Sequence, residues 1–143
     1  MLVVAAVIVR DGRALVCQRN RSGKFPLKWE FPGGKVQRGE SPEAALVREL
    51  REELRVNANV GEEICRTRHK YPEMPSAVEL IFFFAAIESG EIENRVFETM
   101  EWVEPQELPK MDFLDADREL ISKLATGAIR LLRVTGAKQR ASS

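Results

Sequence analysis

The sequence has too little cysteine and histidine for a disulfide framework or a structural zinc site. Its two cysteines, Cys17 and Cys65, lie far apart and form no Cys-x-x-Cys pair, and His69 is the single histidine. Disulfide-stapled domains carry several closely spaced cysteines, and zinc sites need clustered cysteine and histidine ligands. We therefore expect neither kind of site, and a reducing, cytoplasmic compartment agrees best with this composition.

Long hydrophobic runs and an excess of one charge are also missing. The apolar run from Leu2 to Val9 is too short to cross a bilayer, and it lacks the basic flank and cleavage site of a signal peptide. The 22 basic residues balance the 22 acidic residues, whereas domains that wrap nucleic acid are strongly basic. We expect neither a membrane nor a nucleic-acid partner. Both a monomer and a homodimer are compatible with the sequence.

A length of 143 residues, of which 44% are hydrophobic, suits one domain with a substantial core. We expect a single domain over residues 1–143, in which residues 127–143 form a basic tail whose end, AKQRASS, frays. Strand and helix patterns are mixed without a regular βαβ repeat. The predicted fold class is therefore α+β, with a mixed β-sheet between helices.

Strand patterns account for much of the predicted sheet. The apolar runs Leu2–Val9 and Ala14–Gln18 flank an Asp11-Gly12 pair that favours a tight hairpin turn. The dense apolar run Val78–Ile87 is typical of a central strand covered on both faces. A further strand is expected within residues 56–70. Shorter elements are also predicted: strands at Trp29–Phe31, which ends at Pro32-Gly33-Gly34, and at Met100–Val103, and loops at residues 20–28, 35–40 and 71–76.

Two helices complete the predicted fold. The first begins with Ser41-Pro42-Glu43, where serine suits the N-cap, proline the first helical position and glutamate the positive end of the helix dipole. It runs to about Leu54. The second covers residues 115–124, where Leu120, Ile121 and Leu124 have the spacing of a helix face packed on a sheet.

The first helix carries acidic residues close together. Glu49, Glu52 and Glu53 are related by i, i+3 and i+4 and share one narrow sector. The opposite sector holds the residues expected to face the core, Val47, Leu50 and Leu54. Each like-charged i,i+4 pair costs about 0.2–0.5 kcal/mol, so something should offset the repulsion. A divalent cation such as Mg²⁺ would do so, and so would a solvated face neutralised by neighbouring arginines.

A glycine turn before the helix favours the metal alternative. Pro32-Gly33-Gly34 precedes the helix by a short loop, and glycine lets the backbone come close to a ligand. A carbonyl oxygen from this turn would complete a metal shell whose side chains come from the helix. Water and substrate phosphate would take the remaining positions, as magnesium usually requires.

The spacing of these residues resembles the Nudix box of hydrolases that act on nucleoside diphosphate-linked compounds. Gly34 is followed after five residues by Glu40, and after seven more by Arg48-Glu49-Leu50-x-Glu52-Glu53, a pattern called the box below. The segments WEFPGGKV, Gln18-Arg19 and LDADREL resemble the MutT-like branch of the family. The likeness covers roughly residues 2–124 and implies the Nudix fold, an α/β/α sandwich.

The resemblance implies a metal-dependent catalytic centre. By the family pattern, Glu52 and Glu53 would be the principal ligands of Mg²⁺, for which Mn²⁺ is the alternative, with the Gly33 carbonyl group nearby. Glu49 would be a further ligand or the base that activates water. Arg48 would hold the glutamates in place.

Acidic residues outside the helix also have roles in the family pattern. Glu40 would support the loop before the helix. Several family enzymes recruit another catalytic glutamate from a loop after the central strand. Glu98 is the first candidate for that role, with Glu101 and Glu93 as rivals, and an ordinary surface charge is the alternative.

The same resemblance assigns substrate-binding residues. Arg19 matches an arginine that contacts phosphates, with an ordinary exposed arginine as the alternative, and Gly34 and Lys35 are assigned to the substrate with it. Phe31 matches an apolar position that lines the base pocket, with a core position as the alternative. Asp117 matches a residue that reads the base, where a carboxyl group accepts a hydrogen bond from an amine or, if protonated, donates one. The alternative for Asp117 is a helix N-cap.

One position departs from the family pattern. Arg55 stands where the pattern has the glycine that ends the helix in a left-handed conformation, which costs a non-glycine residue about 1 kcal/mol. We expect a stability penalty or an altered helix end, with activity retained. His69 is expected to be an ordinary, partly exposed histidine.

The resemblance implies a nucleoside triphosphate pyrophosphohydrolase that acts on 8-oxo-dGTP or a cytidine-type nucleotide and cleans the nucleotide pool. Hydrolysis of ADP-ribose or another nucleoside diphosphate derivative is an alternative, since Tyr71 and Pro72 lie near the positions that mark such subgroups. A module that senses nucleotides without cleaving them is an alternative of another class. Degenerate modules usually lose box glutamates, whereas Glu49, Glu52 and Glu53 are all present.

Overall fold

The computed structural model describes residues 1–134, which form seven strands and two α-helices. The strands are β1 (Leu2–Arg10), β2 (Arg13–Gln18), β3 (Trp29–Glu30), β4 (Gly33–Lys35), β5 (Asn57–His69), β6 (Val78–Ser89) and β7 (Thr99–Val103). The α-helices are α1 (Pro42–Leu54) and α2 (Arg118–Thr126), and 3-10 helices cover Pro105–Lys110 and Asp115–Asp117. The predicted frayed end, AKQRASS, lies outside the described residues.

The strands form a mixed sheet in the order β3-β2-β1-β6-β5, with β4 added to β1 and β7 added to β2. β1 pairs in parallel with β6, where Val4 lies opposite Ile81, and the other pairs are antiparallel. Asp11 and Gly12, with φ values of 51° and 74°, form the predicted tight turn between β1 and β2. The two most apolar strands therefore lie side by side at the centre of the sheet.

The central strand β6 is buried on both faces, as its dense apolar sequence predicted. Phe82 and Phe84 belong to the core cluster on one face of the sheet, whereas Ile81 and Phe83 belong to the cluster on the other. This alternation is the period of two expected of a strand that is covered on both sides.

One α-helix covers each face of the sheet, which confirms the α+β class and the α/β/α sandwich. α1 buries Ala45, Leu46, Leu50 and Leu54. The residues that α2 buries on the opposite face are those predicted, Leu120, Ile121 and Leu124. The prediction that Val47 faces the core was wrong, since Val47 is only partly buried. Leu46 takes that place because Leu46, Leu50 and Leu54 follow the i,i+4 spacing of the side that meets the sheet.

The Pro-Gly-Gly turn was predicted only to end the preceding strand. The structure differs, because Gly33–Lys35 forms a strand of its own. β4 pairs antiparallel with β1, and Gly33 lies opposite Ala5. A β-carbon at Gly33 would lie 2.0 Å from the Val4 carbonyl oxygen. Glycine therefore permits a backbone approach that any side chain would prevent, and the pairing brings the start of the box onto the central sheet.

After α2 the chain stays packed on the sheet. Gly127 ends the helix with a φ of 82°, and Ile129, Leu131 and Val134 pack partly buried against the core on the α2 side. Val134 lies over Gly61 of β5, where a β-carbon would be 2.6 Å from Val134 Cγ2. Residues 127–134 thus belong to the packed fold and do not form a free tail.

Both cysteines carry free thiols, Cys17 buried in β2 and Cys65 partly buried in β5. Burial raises the pKa of the Cys17 thiol, and the charges of Glu53 and Glu30 add to the effect. Across residues 1–134, no helix combines the length and the apolar character needed to cross a membrane.

Candidate active site

The start of α1 is set by the local signals that predicted it. The Ser41 hydroxyl oxygen accepts a hydrogen bond from the Ala44 amide at 3.1 Å, and Pro42 occupies the first turn. In the preceding loop, the Glu40 carboxylate accepts a hydrogen bond from the Gln37 amide at 2.9 Å. The cap and this loop fix where the helix begins and therefore where its glutamates lie.

Arg48 lies at the centre of a carboxylate network. Its guanidinium donates to Glu40 at 2.7 and 2.9 Å, to Glu49 at 2.9 Å and to Glu52 at 3.4 Å. It also donates to the Lys35 carbonyl oxygen at 2.9 Å. The hydrogen bonds from Arg48 hold the pKa of Glu40 below its usual value. Arg48 thus ties the loop, β4 and α1 together, which is the arrangement that the family pattern implies for it.

Glu53 is partly buried beside β4. Its Oε1 accepts a hydrogen bond from the Gly33 amide at 3.1 Å. Loss of solvation, followed by the negative charges of Glu30 and Glu49, raises the pKa of Glu53 to about 9. A cation beside this carboxyl group would offset these effects, because positive charge favours the ionised form.

Glu49, Glu52 and Glu53 offer hard oxygen donors of the kind that Mg²⁺ and Mn²⁺ prefer. Glu49 and Glu52 bond to Arg48, and Glu53 bonds to Gly33. Accordingly, no three acidic, histidine or cysteine side chains of residues 1–134 converge as a metal site requires. Loss of solvation raises the pKa of both Glu49 and Glu53, and a cation relieves that cost. The residues present fit a divalent ion by donor type and charge.

The backbone of β4 approaches α1 very closely at Gly34. A β-carbon there would lie 2.3 Å from Cδ and 2.4 Å from Oε2 of Glu49. Glycine at this position therefore lets a box carboxylate lie directly against the strand.

A cavity of about 480 Å³ opens beside Glu53. Its walls include all the predicted substrate-binding residues and two residues of the predicted metal site: Arg19, Phe31, Gly34, Lys35, Asp117, Gly33 and Glu53. Phe31 is 3% exposed, and its ring centroid lies 6.1 Å from that of Phe82 and 5.6 Å from that of Phe113. Phe31 is therefore a core residue and a wall of the cavity at once.

Asp117 is a deeply buried charged residue on the cavity wall, with 3% of its surface exposed. Its Oδ2 has no hydrogen-bond partner among the described residues. The residue stands at the N-cap position of α2, as the alternative had it, but its side chain makes no capping hydrogen bond. Burial raises the pKa of Asp117 well above its usual value, and the charge of Glu30 adds to the effect while Arg19 opposes it.

Glu30 lines the same cavity and was not predicted from the sequence. It lies in β3 opposite Cys17 of β2, and both of its carboxylate oxygens accept hydrogen bonds from Arg19 Nη1, at 3.1 and 3.2 Å. Burial raises the pKa of Glu30, whereas the charge and hydrogen bonds of Arg19 oppose the rise. The signal in the sequence was an acidic residue between two aromatic residues of a short strand.

Aromatic residues from two loops form another part of the cavity wall. The Tyr71 hydroxyl oxygen accepts a hydrogen bond from the Ala116 amide at 2.9 Å, and the Tyr71 ring centroid lies 4.8 Å from that of Phe25. Tyr71 and Phe25 both line the cavity. His69 is partly exposed, as expected, and its ring centroid lies 4.4 Å from that of Tyr71.

Glu98 forms an ion pair with Arg21. Its Oε2 lies 2.9 Å from Arg21 Nη2, and this contact lowers the pKa of Glu98. Of its rivals, Glu93 pairs with Arg55 at 3.2 Å, and Glu101 is exposed on β7. The catalytic role of Glu98 stays a prediction.

Comparison with known proteins identifies the family. The NUDIX domain model matches residues 1–124. The chain belongs to the Nudix family. A CTP pyrophosphohydrolase from Escherichia coli (strain K12) is 36% identical over 119 residues, which cover 83% of this chain and 87% of that protein. An 8-oxo-dGTP diphosphatase from Haemophilus influenzae is 36% identical over 126 residues, which cover 87% of this chain and 91% of that protein.

Solved structures agree with this assignment. A MutT Nudix hydrolase from Burkholderia pseudomallei aligns with a TM-score of 0.74 and 29% identity, over 85% of this chain and 95% of that one.

The position that departs from the family pattern, Arg55, ends α1 of the present structure with φ 57° and ψ 37°, and its amide donates to the Arg51 carbonyl oxygen at 3.0 Å. The left-handed helix end is therefore kept without glycine, so the expectation of an altered helix end was wrong, and the cost in stability stays a prediction.

Proposed function

We propose that this Nudix protein is a metal-dependent nucleoside triphosphate pyrophosphohydrolase that releases pyrophosphate and a nucleoside monophosphate. One observation carries the proposal: the cavity lined by Gly33 and Glu53 of the predicted metal site is also lined by Phe31 and Asp117, the predicted base-binding residues. A nucleotide in this cavity would contact both groups of residues. The relatives that are named as a CTP pyrophosphohydrolase and an 8-oxo-dGTP diphosphatase support the same reaction class.

In this proposal Glu52 and Glu53, with the Gly33 carbonyl oxygen, hold Mg²⁺ or Mn²⁺, and Glu49 is either a further ligand or the base that activates water. When bound, the ion supplies positive charge against the negative charge of the phosphate oxygens. Arg48 keeps Glu49 and Glu52 in place through the hydrogen bonds described above.

A carboxylate of the chain takes the proton as a water molecule attacks phosphorus, while an anhydride P–O bond breaks and pyrophosphate leaves. Glu49 and Glu98 are the candidates for this base. Glu49 has the better support, because its carboxylate lies against Gly34 and Gly34 lines the cavity. Glu98 has an ion pair with Arg21 to break before it could act.

The remaining cavity residues bind the substrate. Arg19 and Lys35 supply positive charge for the phosphates, and Gly34 lets the phosphates approach the backbone. Phe31 offers an apolar wall to the base. The unpartnered Oδ2 of Asp117 hydrogen-bonds the base edge, and 8-oxo-dGTP and cytidine-type nucleotides are the first candidates.

The test is pyrophosphate release in the presence of Mg²⁺ from the common nucleoside triphosphates, 8-oxo-dGTP and 5-methyl-dCTP, with ADP-ribose in the same panel. We expect release from one or two triphosphates. Glu53→Gln should lower kcat by at least about 100-fold and leave the fold intact. Glu62→Gln, at an exposed position of β5, is the matched control and should retain activity.

Other outcomes would redirect the assignment. Full activity of Glu53→Gln would remove Glu53 from the metal site. Monophosphate products from ADP-ribose alone would assign the protein to hydrolysis of nucleoside diphosphate derivatives. Metal-dependent nucleotide binding without turnover of any compound would make it a sensing module.

A further inference from the structure

Arg19 and Glu30 form an ion pair on the wall of the cavity. Arg19 Nη1 donates to both carboxylate oxygens of Glu30, at 3.1 and 3.2 Å, and Arg19 Nε donates to the Lys24 carbonyl oxygen at 2.8 Å. The side chains of Arg19 and Glu30 are only 30% and 18% exposed. These contacts hold the guanidinium plane from two sides, and the two donors on Nη2 take no part in them.

The charge of Glu30 is by itself unfavourable for binding phosphates. After burial, that charge is the largest effect that raises the pKa of Glu53 in the box and the pKa of Asp117 on the predicted base-binding wall. It therefore acts on both parts of the cavity and would repel a polyphosphate there. The contact that can offset this repulsion is the one that Glu30 makes with Arg19.

We propose that Glu30 is a positioning residue that orients the Arg19 guanidinium toward the phosphates of the substrate. The inference rests on the proposed function, in which Arg19 binds phosphate. The donors of a guanidinium group lie in one plane, so the orientation of that plane, as well as the charge, decides where the donors left for phosphate point. Glu30 on Nη1 and the Lys24 carbonyl oxygen on Nε fix that plane and leave the Nη2 donors for the substrate.

Removal of the Glu30 charge changes the affinity for polyphosphate in opposite directions in the two cases. One case is that Glu30 orients Arg19, and the other is that Glu30 acts only through its negative charge. If the carboxylate acts only through its charge, Glu30→Gln strengthens polyphosphate binding, since a repulsion is lost. If Glu30 orients Arg19, Glu30→Gln weakens binding, because glutamine offers a single acceptor oxygen and no charge to the guanidinium.

The experiment measures binding of inorganic tripolyphosphate, with Mg²⁺, by titration calorimetry. The proteins compared are wild type, Glu30→Gln, Arg19→Met and the double variant. Each single change should weaken binding about 10-fold. The double variant should bind no more weakly than Arg19→Met alone, because Glu30 acts through Arg19.

A second arginine–glutamate pair provides the matched control. Glu63 accepts hydrogen bonds from Arg66 Nε and Nη2 at 2.8 and 2.9 Å on the exposed side of β5. Glu63→Gln therefore removes the carboxylate of another arginine–glutamate pair, outside the cavity, and should leave tripolyphosphate binding unchanged. Thermal unfolding of each variant establishes that it is folded. Should Glu30→Gln fail to fold, Glu30→Asp replaces it, because aspartate keeps the charge but shortens the reach, and the same weakening is expected.

Three results would overturn the inference: equal or tighter binding by Glu30→Gln, additive losses in the double variant, or a wild-type protein that does not bind tripolyphosphate. In turnover assays, Glu30→Gln should raise KM for the triphosphate substrate and change kcat less. A wild-type protein that hydrolyses no nucleotide but shows the expected binding pattern would reject the proposed function and keep this inference.

Discussion

The carboxylate of Glu49 lies against the α-carbon of Gly34, so closely that a β-carbon at position 34 would fall 2.3 Å from Glu49 Cδ. Gly33 is just as constrained, but by the backbone, since a β-carbon there would lie 2.0 Å from the Val4 carbonyl oxygen. The two adjacent glycines therefore do different things. Gly33 permits the pairing of β4 with β1, and Gly34 permits the placement of a box carboxylate.

Alanine in place of Gly34 should lower activity, whereas alanine in place of Gly33 should lower stability. In Gly34→Ala the obstacle is the end of a flexible side chain, so Glu49 moves away, and we expect kcat to fall about 10-fold or more with little change in melting temperature. In Gly33→Ala the obstacle is backbone, and we expect the free energy of unfolding to fall by about 3 kcal/mol. Urea unfolding and turnover assays on both variants check this.

Gly23→Ala is the control for this pair, because a β-carbon there meets nothing closer than 3.8 Å. Neither activity nor stability should change in that variant. An equal loss of stability in Gly33→Ala and Gly34→Ala would contradict the separate roles of the two glycines.

Arg55→Gly should stabilise the protein. Arg55 holds a φ of 57° at the end of α1, and glycine adopts this conformation without steric cost. Its ion pair with Glu93 joins side chains that are 58% and 62% exposed, and such pairs contribute little. We expect the free energy of unfolding to rise by about 0.5–1 kcal/mol, measured by urea denaturation, with turnover unchanged.

Arg55→Ala separates the effect of the backbone conformation on stability from the effect of the arginine side chain. Alanine removes the ion pair but keeps the strained conformation, so this variant should gain no stability. A gain equal to that of Arg55→Gly would show that the arginine side chain, and not its backbone conformation, is the source of the cost.

Asp117 should make stability depend on pH. Burial raises its pKa, so the folded protein keeps a proton at pH values where the unfolded chain has released it. The stability from this group is full below the usual aspartate pKa and is lost as the pH rises toward the raised pKa. Asp117→Asn removes the titration. We expect the decline in unfolding free energy between about pH 5 and pH 8 to be smaller in the variant by about 1 kcal/mol or more.

Urea titrations of both proteins at the two pH values measure this difference. The charged groups that act on Asp117 are Glu30, which adds to the rise in its pKa, and Arg19, which opposes it, and both are present in the variant. Parallel pH dependences of wild type and Asp117→Asn would contradict a buried, protonated carboxyl group at this position.

The main elements could be predicted because their signals are local. The Ser41-Pro42 start of α1 and the unbroken apolar sequence of β6 each specify an element without reference to the rest of the chain. Helix spacing likewise predicts that Glu49, Glu52 and Glu53 share one sector of α1, whereas their assignment to the box came from the family resemblance.

The parts that could not be predicted depend on contacts between distant segments. Glycine has a low strand propensity, so the strand Gly33–Lys35 exists only because β1 lies beside it. Leu46 and Val47 are adjacent apolar residues of α1, and the position of the sheet decides which of them is buried. Glu30 was missed because nothing local indicates that Arg19, the residue after the neighbouring strand β2, reaches it, and Tyr71 joins the cavity through its contact with Ala116.

The parallel pairing of β1 with β6 has a consequence for biosynthesis. Val4 lies opposite Ile81, so β1 leaves the ribosome about 77 residues before its partner. At a translation rate of about 5–20 residues per second, this delay lasts about 4–15 s. Throughout that interval the nascent chain exposes an apolar strand whose side chains and backbone still lack one of their neighbours. We therefore expect ribosome-associated chaperones to bind this first strand, and folding to finish only after most of the chain has been made.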